Sequence, residues 1–140
     1  MSKSLKAIIF LKVANNGAKI KRLCDAISHY FLRSQAVLIT VPTHEIAAYI
    51  DQLLWSHPEG KFIPHSIATT KTTEKIAIAN VQQNVNESKI LFNLCPGASP
   101  IADQFDTVLE LLDSTTADKL EHSMSKQREY EKLGYTILER

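Results

Sequence analysis

The chain has 140 residues, 44% of them hydrophobic, with 16 lysines and arginines against 15 aspartates and glutamates for a net charge of +1. That length makes a single domain, residues 1–140, able to bury a core without disulfide or metal staples, and the near-neutral balance excludes the electrostatic footprint of a direct nucleic-acid binder. Two cysteines, Cys24 and Cys95, exclude a disulfide framework, and no apolar run reaches membrane-spanning length.

The N-terminus enters a short apolar segment without a small-residue cleavage site, which argues against a signal peptide and for the cytoplasm. Residues 1–33 are nonetheless basic: Lys3, Lys6, Lys12, Lys19, Lys21, Arg22 and Arg33 face one acid, Asp25. This asymmetry permits an acidic partner and equally describes a solvated basic face.

In chain order, Ala7 to Leu11 reads as a buried first strand ending in the turn Asn15-Asn16-Gly17. A helix from about Ala18 to Arg33 places Ile20, Leu23, Cys24, Ile27, Tyr30 and Phe31 on one face. Ala36 to Val41 is a continuous apolar strand, of the kind buried on both faces. Pro42 stops it, Thr43 is placed to cap the next helix, and Ile46, Ile50, Leu53 and Leu54 form that helix's expected inner stripe. Trp55 falls at the stripe's edge. Beyond a polar loop from Thr69 to Lys75 come strands at Ile76 to Ala79 and Ile90 to Leu94, then the rigid loop Cys95 to Pro100. Thr107 to Leu112 is a strand or a short helix, which periodicity alone does not separate. A last helix from Thr116 to Leu133, with Gly134 as its C′ residue, is too polar to lie anywhere but at the surface, and an extended tail follows. Strand-helix-strand-helix and then more strands gives an α/β fold: a single three-layer domain, a mainly parallel twisted sheet with helices on both faces.

The stretch Leu54-Trp55-Ser56-His57-Pro58-Glu59-Gly60-Lys61-Phe62-Ile63-Pro64-His65 holds the only tryptophan, two of the five prolines and two of the five histidines. Trp55 and Phe62 flank a turn around Pro58 and Gly60. Two readings fit: the aromatics plug the core, or they form an exposed patch for a partner.

Catalytic and cofactor motifs are missing. The four glycines, Gly17, Gly60, Gly97 and Gly134, are isolated, and Val13 to Lys19 is neither a dinucleotide fingerprint nor a P-loop, so no nucleotide cofactor is expected. His44-Glu45 opens like a zinc-protease helix, but Ala48 stands where the second histidine must be, so no metal is expected. Ser99 lacks the second glycine of a nucleophile elbow, and Cys95 needs a histidine that sequence does not place.

Leu54-Trp55, Pro58 and the run Phe62-Ile63-Pro64-His65 carry a resemblance. At this spacing they resemble the signature of the chi subunit of bacterial DNA polymerase III. The order of the first strand and helix, the second strand, the strand near Ile90, and a last helix carrying Tyr130 before Gly134-Tyr135 extends the likeness over nearly the whole chain. The resemblance implies a non-catalytic accessory subunit with a fold like nucleotide-binding domains but no phosphate loop. It implies a clamp-loader partner, the psi subunit, bound through Trp55 and Phe62 with Pro64 and His65 as neighbours. It also implies capture of the acidic tail of single-stranded DNA-binding protein near the last helix, with Lys126, Arg128 and Tyr130 as the candidates. DNA contact is then indirect. Here the sequence departs from the family: Met124 and Gln127 stand where a cation and an aromatic are usual, and Glu129 and Glu131 dilute the charge. Weaker tail binding, shifted contacts or none are the alternatives. Rival readings are a repair-helicase accessory using the same patch, and an α/β enzyme with Cys95 or Ser99 as nucleophile.

Overall fold

A computed structural model describes residues 7–56 and 63–140. Lys3 and Lys6, and His57, Pro58, Gly60 and Phe62 of the central stretch, lie outside the described residues. The elements are β1 (Ala7–Val13), α1 (Asn16–Phe31), β2 (Val37–Thr40), α2 (His44–Ser56), β3 (Ser66–Ile67), β4 (Ile76–Ala79), β5 (Ile90–Asn93), β6 (Thr107–Asp113), α3 (Ala117–Lys132) and β7 (Thr136–Glu139), with a 3-10 turn at Ala102–Gln104. The strands form one sheet in the order β3-β4-β2-β5-β6-β1-β7, and every neighbouring pair is parallel.

Alternation along the strands divides the core in two. Leu11, Ile39, Ile78, Phe92 and Leu109 point to the face covered by α1, through Leu23, Cys24 and Ile27, and by α2, through Ala47, Ile50 and Leu54. Ile8, Phe10, Leu38, Ala77, Leu91 and Val108 point to the other face, covered by Tyr130 of α3 and by Ile101, Ala102 and Phe105 of the connection between β5 and β6. Burial on both faces explains why β2, β4 and β5 read as unbroken apolar runs. The helices lie on both faces, as the pattern of elements predicts.

Local chemistry sets the boundaries. Helix α1 starts at Asn16 rather than Ala18 because the Asn15 side chain accepts the Ala18 N–H (2.8 Å), so the expected turn is the cap and first turn of the helix. Thr43 Oγ1 accepts the Ile46 N–H (3.1 Å), capping α2 as its sequence suggests. The inner stripe of α2 is corrected by one position. Ala47, Ile50 and Leu54 are buried, Leu53 is half-buried, and Ile46 is exposed. Counting bulky residues alone overlooks Ala47, whose small side chain lets the helix close on the sheet. Segment 107–113 is a strand paired with both β5 and β1. Thr116 caps α3 through the Lys119 N–H, and Gly134 takes the left-handed conformation (φ 94°) that turns the chain into β7. The expected extended tail is this edge strand, in register with β1.

Candidate functional site

Trp55 stands in the last turn of α2, 46% exposed, above the β3 edge of the sheet. Its position follows from the corrected stripe, since it trails the buried Leu54 by one residue and points beside the core. The Trp55 indole lies on the ring of His65, with centroids 4.2 Å apart and planes inclined by 39°. His65 itself is a strut. Its side chain is wholly buried, with Nδ1 2.7 Å from the Ile63 carbonyl and Nε2 3.1 Å from the Asp51 carbonyl and 3.2 Å from Asp51 Oδ1. The segment entering β3 is thereby fixed to the last two turns of α2, with Ile63 buried and Pro64 half-buried beside it. Trp55, Pro64 and His65 are brought together. Phe62 belongs to the residues that are not described.

The three residues proposed from the last helix separate. Tyr130 is completely buried. Its hydroxyl donates to Glu110 Oε2 and accepts the Ser99 N–H at 2.9 Å, and its ring meets Phe10 and Tyr135 edge to face. Lys126 is largely buried: Nζ donates to Glu110 Oε1 and to the Cys95 carbonyl, both at 2.7 Å. Only Arg128 extends into solvent, where it pairs with Glu121 at 2.8 Å.

Sequence reasoning missed Glu110, the residue on which Tyr130 and Lys126 converge. It is fully buried in mid-strand on the α3 face. Asn93, on the neighbouring β5, donates to Glu110 Oε2 (2.8 Å) and to the Gly97 carbonyl (3.0 Å), and Thr40 on β2 donates to Asn93 Oδ1 (2.9 Å). A polar ladder thus crosses three strands under a helix whose buried positions are Ser123 and Tyr130. Burial pushes the Glu110 carboxyl above its ordinary range, while Lys126, Tyr130 and Asn93 pull it back. Burial and the same carboxylate raise the Tyr130 phenol, which keeps it a donor. The sequence did carry a signal: a glutamate inside the apolar run Val108-Leu109-Glu110-Leu111-Leu112 must be paired if the strand is buried on both faces.

Of the two nucleophile candidates Ser99 is buried and Cys95 half-buried, and the other cysteine, Cys24, is buried in the core. Burial, with Asp25 adding to it, pushes the Cys24 thiol up to about 11. Burial also raises the Cys95 thiol, whose side-chain hydrogen-bond partner is Gln82. Ser99 is buried, its Oγ accepting the Ile101 N–H. Among the described residues, no three His, Cys, Asp or Glu side chains gather closely enough to hold a metal ion. At the first strand-to-helix turn, Asn15 Oδ1 occupies an N–H that a phosphate-binding loop would present to its ligand.

Fold and site together define a wholly parallel, open α/β domain with helices on both faces of the sheet and a half-exposed tryptophan at the end of α2. The chain belongs to the family of the DNA polymerase III chi subunit, HolC, whose family model matches residues 5–138. It is therefore a replication accessory protein of the DNA polymerase III complex. The comparison with curated proteins gives no match.

Proposed function

We propose that the protein is a non-catalytic cytoplasmic adaptor, joining the psi subunit of the clamp loader to the C-terminal tail of single-stranded DNA-binding protein. The observation that carries this reading is Trp55. A half-exposed tryptophan, seated on a buried histidine that is pinned at both nitrogens, is a pre-ordered anchor, and such anchors concentrate the affinity of small interfaces. Trp55, Phe62 and Pro64 form the proposed psi surface, and His65 acts as its support. The tail surface is the outer side of α3, where Arg128 meets the tail's carboxylates and Met124, exposed one turn earlier, offers apolar contact. Lys126 and Tyr130 serve that surface by holding α3 on the sheet.

The two surfaces sit toward opposite edges of a seven-stranded sheet, α2 beside β3 and α3 beside β7. Six strand spacings of about 4.8 Å put these two edge strands roughly 29 Å apart. Two partners can then be held at once, as an adaptor requires. Among the described residues, no helix is long and apolar enough to cross a membrane.

The test is recovery of partners from bacterial lysate by wild type and by Trp55→Ala/Phe62→Ala. Selective loss of clamp-loader subunits by a folded variant is the expected result. Equal recovery would remove the psi assignment.

A further inference from the structure

An open cleft of about 520 Å³ lies at the carboxyl ends of β2, β5 and β6, bordered by α3 on the side of Lys119, His122 and Lys126. Its position is where the fold predicts a ligand. After β2 the chain turns to α2 on one face of the sheet, and after β5 it turns to the segment of Ile101 and Phe105 on the other. Neighbouring strands whose continuations leave in opposite directions open a crevice, and parallel α/β sheets bind ligands at that switch point. The size is that of a small-molecule site.

The lining sets the ligand class. Ile46, Leu94, Pro96 and Leu111 form an apolar wall, which explains why Ile46 is left out of the core. The polar groups are Lys19, Asp113, Lys119, His122, Ser123 and Lys126, together with Asn93 on the floor. The side-chain oxygen acceptors among them are engaged. Asp113 takes Lys19 Nζ at 2.6 Å and the Thr115 N–H and hydroxyl; Asn93 Oδ1 takes Thr40 Oγ1 and the Cys95 N–H; and Ser123 Oγ bridges the Asp113 N–H and the Leu111 carbonyl. The donors are in surplus. Lys19 and Lys126 each carry more N–H groups than they use, and among the described residues the side chains of Lys119 and His122 bond to nothing. Three lysines outnumber the two carboxylates, Asp113 and Glu110, that face them.

The geometry points to this cleft as a binding site for a small organic acid, one carboxylate on an apolar body. Lys119 and His122 meet the carboxylate, and the Ile46–Leu94–Leu111 wall takes the body. A carboxylate fits better than a phosphate ester because the site offers separate side-chain donors without the cradle of backbone N–H groups that a phosphate uses. The proposal extends beyond the adaptor reading and stands independently of it.

Titration of the full chain with hexanoate and with hexanol, followed by amide chemical shifts, tests it. Hexanoate should give saturable shifts centred on Leu94, Leu111 and Lys119. Hexanol, of the same length but neutral, should bind at least about 10-fold more weakly. In Lys119→Ala/His122→Ala, where no observed hydrogen bond or ion pair is lost, hexanoate should weaken to the hexanol level. Shifts that do not saturate, shifts centred elsewhere, equal binding of the two probes, or hexanoate binding unchanged in the double variant would each overturn the site.

Discussion

Trp55 and Tyr130 are both aromatics on helices of this fold, one near the end of α2 and one near the end of α3, yet their positions are opposite. Trp55 is half-exposed on a buried histidine, and Tyr130 is wholly buried on a buried glutamate. The sheet makes the difference. Helix α2 closes on an apolar face through Ala47, Ile50 and Leu54, which leaves Trp55 beyond the stripe. Helix α3 closes on a face that carries Glu110, so its inner positions must be donors, and Tyr130 is drawn inside. One aromatic is half-exposed at a helix end, and the other fixes its helix to the sheet.

Breaking the inner knot should have the largest effect. Glu110→Ala leaves Lys126 a buried, uncompensated cation and the Tyr130 hydroxyl without its acceptor. A loss of about 3–5 kcal/mol is expected in urea unfolding, as for removal of one partner of a buried pair. A loss below about 1 kcal/mol would mean that water already reaches the pair. Tyr130→Phe keeps the ring and removes only the hydroxyl, leaving the Ser99 N–H without its acceptor. About 1–3 kcal/mol should be lost, with no change in the affinity of the psi subunit.

Asp113 gives a smaller effect with a pH signature. Burial works against its ionisation, but the Lys19 ammonium and the Thr115 hydroxyl and N–H outweigh it and hold the carboxyl below the ordinary range. A depressed carboxyl stabilises the fold above the unfolded value of about 3.9, and that stability is lost as pH falls through the lower folded value. Asp113→Asn should therefore be less stable than wild type by about 1 kcal/mol at pH 7. The difference should fade as pH drops below about 4. A gap that persists in acid would assign the effect to packing instead of charge.

Arg128→Ala is the smallest change to the fold. Its ion pair with Glu121 is solvent-exposed, and the melting temperature should stay as in wild type. Affinity for an acidic tail peptide should fall by about 3- to 10-fold, as for loss of one charge-assisted contact. Equal affinity would remove Arg128 from that surface.

The two regions also differ in how much the sequence disclosed. The parallel α/β architecture was readable because strands buried on both faces must be continuous apolar runs, and β2, β4 and β5 are. The edge position of Trp55 followed from helical spacing, though Ala47 hid the phase of the stripe. The interior of α3 was not readable from periodicity, since its inward residues are Ser123, Lys126 and Tyr130 and look like a surface. Only pairing across the fold, with Glu110 16 positions before Lys126 and 20 before Tyr130, makes them core.

Calorimetric titration of purified psi subunit into wild type and Trp55→Ala is the most direct measurement of whether the outward aromatic is the partner's anchor. The expected result is a loss of at least about 2 kcal/mol, roughly 30-fold in affinity, with the melting temperature of the free protein almost unchanged. Unaltered affinity in the folded variant would contradict the assignment of Trp55 to that interface.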